Sequence, residues 1–131
     1  MLFHAHSGLR YLVLLAGLAL VLYALWAMAT RRPWDRTMRI LSATFTASVD
    51  LNVLLGAVML FTRPFYSQLI GHIATMVLAA GLAHVVPMVM RRRPAAERTH
   101  LPYAAATVIV LGMFVAGMKA IDRQALPFLG F

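Results

Sequence analysis

Cysteine is absent from the chain. That removes disulfides, thiolate metal sites, iron–sulfur clusters and haem attached covalently through Cys-x-x-Cys-His. Acids are scarce too, four Asp and Glu against twelve Lys and Arg, for a net charge of +8 over 131 residues. No nucleophile–base pair, phosphate loop or carboxylate dyad stands out, so hydrolytic chemistry has no footing and enzymatic activity is left open. Amphipathic stripes are missing as well. The apolar residues, 62% of the chain at a mean hydropathy of +0.80, come in unbroken blocks. A soluble domain of this size could not hide that much apolar surface, so the expected surroundings are lipid.

The basic residues sit in short clusters between the apolar blocks rather than along a folded face. Nucleic acid is therefore not an expected partner, whereas the lipid bilayer is. Crossing the hydrocarbon takes about 20 apolar residues in a helix. Four stretches qualify, at residues 9–30, 38–61, 68–90 and 101–121. The expected fold class is an all-α integral membrane four-helix bundle, up-down-up-down, forming a single domain over 1–131.

Orientation follows from the asymmetry of Lys and Arg. Arg31, Arg32, Arg36 and Arg39 flank the first connection, and Arg91, Arg92, Arg93 and Arg98 the third. The opposite side has only Arg10, Arg63, Lys119 and Arg123. Eight against four places the arginine-rich connections in the cytoplasm and both termini outside, in the periplasm of a bacterial inner membrane. A cleaved signal peptide at Ala27-Met28-Ala29 is disfavoured, because the basic pair follows the apolar run instead of preceding it. RRPWDRT at 31–37 and RRPAAERT at 92–99 look alike, with a proline suited to a first helical turn and an acid near the helix start. The apolar spans do not align, so independent recurrence of good hairpin chemistry is preferred over duplication.

Polar residues inside a span call for a reason. Asp50 lies near the middle of the second span, on a face with Ala43, Thr46, Ala47, Val53, Leu54 and Ala57; Asn52 points nearly opposite, beside Ser48 and Gly56. Both faces are expected to meet protein, with Asp50 neutral and bonded across helices. His84 precedes Pro87 by nearly one turn, and a local role at a proline kink is preferred for it. Asp50, Asn52 and His84 together are the expected buried polar residues. His72 shares a face with Thr75, Met76, Ala79, Ala80 and Ala83, small enough for a macrocycle or a neighbouring helix to lie close. At about 100° per residue His72 and His84 stand about 120° apart, which argues against two stacked haems.

The outer end is the richest in candidates. His4, His6 and Arg10 precede the first span, at a depth matching His72, Arg63 and Lys119. His6 and His72 could supply both axial nitrogens to one b-type haem, with Arg10, Arg63 or Lys119 pairing its propionates. An interfacial cluster of solvated histidines and snorkelling cations is the plainer alternative. Zinc or copper on His4 and His6 would be a weak ligand set.

HAHSGLRYL at 4–12, DLNVLLG at 50–56 and GHIATM at 71–76 resemble a family of small bacterial four-helix membrane proteins often labelled cytochrome b. The resemblance runs from His4 to the fourth span. It matches His6 and His72 to family histidines and implies haem b. It departs at Asp50, where the family pattern carries a histidine. Fluoride channels and small multidrug transporters fit less well, lacking respectively their Phe-Ser-Thr-Phe motif and their first-span glutamate here. Two functions remain: an accessory or homo-oligomeric packing subunit of a membrane complex, associating through the Ser48–Asn52–Gly56 face, which is preferred, or a haem-binding membrane electron carrier.

Overall fold

The computed structural model describes residues 1–121; Arg123, counted above for orientation, lies outside them. The chain forms α1 (Leu2–Ala29), α2 (Arg36–Met59), α3 (Leu69–Arg91) and α4 (Leu101–Lys119), with one 3-10 turn at Ala95–Glu97. All four helices are long and apolar enough to cross a membrane. α1 packs on α2 and α4, and α3 on α4 and, less extensively, on α2, so the helices stand in a square with α1 and α3 across one diagonal.

Small and branched residues on the inward stripes interlock around Leu20 of α1, Val49 of α2, Ala79 of α3 and Phe114 of α4, each at most 2% exposed. The outward stripes hold the leucines, among them Leu15 and Leu78 at about two-thirds exposure. α2 is the most polar helix, and two of its core hydroxyls are satisfied within it. Thr46 Oγ1 donates to the Ser42 carbonyl at 3.0 Å and Ser48 Oγ to that of Phe45 at 2.8 Å, the back-bonding open to Ser and Thr in a helix.

Helix ends differ from the apolar stretches in an informative way. α1 begins at Leu2, seven residues ahead of its apolar run, because nothing in FHAHS breaks a helix and Gly8 is tolerated. His6 therefore rides on a rigid helix. The prolines also fall elsewhere than expected. Pro33 stands outside α2, whose N-cap is Asp35, while Pro102 takes the first turn of α4. The two arginine connections consequently do not fold alike, since only the second contains a 3-10 turn. α3 continues through Pro87 to Arg91.

Cross-helix contacts define two ends of the square. Early α1 meets late α2 through His6 and Asn52, and early α3 meets late α4 through His72 and Gly117. At the other end Tyr23 of α1 reaches Asp35 and His100, and the arginine connections gather there.

Candidate functional site

Between α2 and α3, at the end away from the arginine connections, a cavity of about 450 Å³ opens, within the range of ordinary cofactor sites. His6, Arg10, Asn52, Arg63 and His72 line it together with apolar side chains such as Met76 and Phe114. The two histidines come from helices that stand diagonally apart. Each is fixed by a backbone carbonyl on a third element.

His6 Nδ1–H donates to the Asn52 carbonyl at 2.9 Å. The ring can lie there because residue 56 is glycine, where a Cβ would sit 3.0 Å from His6 Cε1. His72 Nδ1–H donates to the Gly117 carbonyl at 2.8 Å. That acceptor belongs to the last turn of α4, where helical carbonyls run out of partners; the Ile121 N–H bonds Met118 instead. A Cβ at Gly117 would collide with the Met76 methyl and crowd Thr75, so glycine sets how closely α3 approaches α4. A carbonyl only accepts, so both Nδ1 atoms must carry the proton and each neutral ring keeps its lone pair on Nε2. Ligating histidines are commonly oriented in this way.

The ring centres stand 6.4 Å apart and the ring planes cross at 86°. Two imidazoles on opposite sides of one metal, bonded at about 2.0–2.1 Å with ring centres roughly 1.1 Å further out, sit about 6.3 Å apart. The spacing thus suits a single ion held between the rings. Two polar atoms of the lining support a polar guest. Arg10 Nε and Asn52 Oδ1 are buried with no hydrogen-bond partner among the described residues, and Asn52 is 4% exposed. Arg10 is otherwise held by Tyr11, to whose hydroxyl its Nη2 donates at 2.7 Å. The Arg63 guanidinium lies 4.5 Å over the Phe3 ring. A planar macrocycle with two carboxylates would meet apolar walls, two imidazoles and two guanidinium groups.

Several expectations are corrected. His4 is exposed, edge-on to Phe3; two residues from His6 on a helix, it projects from nearly the opposite side, so the two rings do not converge. Lys119 does not line the cavity. Ser48 and Asn52 are buried within the chain and Gly56 lies against His6, so this face packs inside the bundle. Asp50 and His84, expected to be buried, are 48% and 50% exposed on the outer side of α2 and α3. They bond each other: His84 Nε2–H bridges both Asp50 carboxylate oxygens at 2.8 Å. His84 thus acts across helices rather than at the proline.

The far end holds a second polar group, of which the sequence showed the acid near the helix start but not its partners or His100. Asp35 caps α2 by accepting from the Met38 N–H at 3.0 Å, and it also accepts from Arg32 Nε at 3.1 Å and from the Tyr23 hydroxyl. Burial pushes its carboxyl up, but these three donors outweigh burial and hold it below the usual carboxylate range. His100, 4% exposed, donates from Nε2 to the carbonyls of Arg32 and Pro33. A histidine just before a Leu-Pro helix start was its only signal. Comparison with protein-family models, curated proteins and solved structures finds no match.

Proposed function

We propose that this chain is a membrane-embedded carrier of one b-type haem, which His6 and His72 would hold through its iron and Arg10 and Arg63 through its carboxylates. The observation that carries the reading is the pair of carbonyl-anchored imidazoles with centres 6.4 Å apart across a cavity of about 450 Å³. When bound, the haem supplies one-electron transfer. The chain's own residues do the rest. The Asn52 and Gly117 carbonyls fix the orientation and the tautomer of the two rings. Met76 and Phe114 keep water from the cavity floor, and two guanidinium groups offset two carboxylates that would otherwise be costly near hydrocarbon.

The setting proposed with it is an up-down-up-down bundle in a bacterial inner membrane, both termini periplasmic and the arginine connections cytoplasmic, following the positive-inside rule. The haem would then lie near the periplasmic surface. The test is spectroscopic. Protein purified in mild detergent from haem-supplied cells is expected to show a Soret band that shifts on dithionite reduction, and His72→Ala is expected to lose it. A colourless wild-type preparation would sink the proposal.

One observation favours a second reading. The half-exposed Asp50–His84 pair faces outward at mid-span, where lipid is a poor neighbour for polar groups. A packing subunit, self-associating or within a larger complex, would cover this face with protein. The mass of the assembly in mild detergent tests it.

A further inference from the structure

At the arginine end, α1, the first connection and the start of α4 enclose an open niche of about 270 Å³. It is separate from the histidine cavity and independent of the haem reading. Arg31, Arg32, Arg98 and His100 supply its polar lining, and Met28 and Leu101 its apolar wall; no carboxylate lines it. We infer that this niche binds the headgroup of an anionic glycerophospholipid, using Arg31 and Arg98 as the charge partners of its phosphodiester and His100 as a buried acceptor for a headgroup hydroxyl.

Three observations converge on such a headgroup. First, three guanidinium groups share one small space, and a counter-charge would relieve their repulsion. Arg32 spends part of its charge on Asp35 at 3.1 Å. Arg98 is aimed rather than neutralised: it donates to the carbonyls of Arg93 and Arg91 and stacks 4.8 Å over the Trp34 ring. Arg31 has no ion-pair partner among the described residues, and its backbone sits in the left-handed region at φ 54°, a conformation that costs energy for a side chain of this size.

Second, α4 opens onto the niche with its N-terminus. No side chain caps that first turn, and Pro102 contributes no N–H, so the positive end of the helix dipole faces the space unquenched. Third, and independently, His100 is 96% buried yet has one ring nitrogen unused. Nε2 is spent on two carbonyls, while Nδ1 is buried with no partner among the described residues. A buried polar atom without a partner is uncommon and marks a place where a group is missing. Carbonyls only accept, so Nε2 carries the ring proton and Nδ1 is left as an acceptor, which a hydroxyl of a glycerol headgroup would satisfy beside the phosphodiester.

The surroundings select a lipid over a soluble phosphate. Met28 closes α1 and Leu101 opens α4, so the apolar side of the niche continues onto the spans. Leu101 is 60% exposed on that side, which leaves a path for acyl chains alongside α1 and α4. Trp26 and Trp34 stand at the same level, each under an arginine, as aromatic residues do at a headgroup boundary. A zwitterionic headgroup would bring an ammonium group towards three guanidinium groups, which disfavours it.

The experiment compares three probes on the purified full chain in neutral detergent: dioleoylphosphatidylglycerol, dioleoylphosphatidylcholine and inorganic phosphate. Thermal unfolding and native mass spectrometry are the readouts. Phosphatidylglycerol is expected to raise the unfolding temperature by several degrees and to persist as a one-lipid adduct, and the other two are expected to do neither. Arg31→Gln with Arg98→Gln should weaken that binding about 30-fold. Arg36→Gln with Arg39→Gln, which removes the same charge from outside the niche, should weaken it less than about threefold. Should the double variant fail to fold, Arg31→Gln alone, which breaks no ion pair, should still cost about fivefold. Equal losses in the two double variants, equal stabilisation by phosphatidylcholine, or phosphate matching the lipid would each overturn the assignment.

Discussion

A hydrogen atom in place of a methyl group decides the geometry of the histidine cavity. At residue 56 a Cβ would stand 3.0 Å from the His6 ring, tighter than neighbours normally tolerate, so the ring would have to move by a few tenths of an ångström. Gly56→Ala is therefore expected to leave the fold standing, since alanine is the better helix former by about 1 kcal/mol. Its effect should fall on His6. We expect a weakened or displaced Soret band with an unchanged or raised unfolding temperature; an unaltered spectrum would show that His6 is not held against α2. The sequence revealed which residues carry polar chemistry here but not which glycines admit them, because a glycine's role depends on what the neighbouring helix brings to it. His6 and His72 were legible as partners, both standing early in helices that start from one end. Asp50 and His84 were not. Asp50 lies nine residues before the end of α2 at Met59 and His84 fifteen after the start of α3 at Leu69, so counting from the shared connection places them at different depths. Only the stagger of the two helices brings them level.

At the level of elements, the apolar runs marked four helices because nothing but a helix satisfies its own backbone over such lengths in lipid. What they could not mark was where α1 begins, since a polar helix turn and a polar tail read alike. Capping shows the same division. Asp35 was legible as an acid near a helix start, but its three donors belong to three different elements. That convergence has a measurable consequence. A carboxyl held below its unfolded value contributes stability that is fully present above about pH 4 and is lost as pH falls through its folded value. The wild-type unfolding temperature is thus expected to drop on acidification below pH 4, and Asp35→Asn should flatten part of that drop; its cost at neutral pH should come from the lost charge-assisted bonds to Arg32 and Tyr23, since asparagine caps a helix about as well as aspartate. Identical acid profiles for the two proteins would rule Asp35 out as the titrating group.

For the molecule as a whole, the outward Asp50–His84 pair separates the two functional readings most sharply. An assembly that covers it should weaken when the pair is removed. Wild-type protein in mild detergent is expected to run as an oligomer under light scattering, and Asp50→Leu with His84→Leu as a monomer that still folds. Replacing both partners avoids stranding one polar group alone, the change that usually costs most. A wild type that is monomeric at all concentrations would leave lipid, not protein, around this face.

The histidines also sit on diagonal corners of the square, on α1 and α3, which share little direct packing. Anything clasped between them is a cross-brace. It would bolt the α1–α2 hairpin to the α3–α4 hairpin at the end where the cavity opens between α2 and α3, so that occupancy and stiffness would rise together. Emptied, the frame would be free to rack like a gate that has lost its diagonal strut.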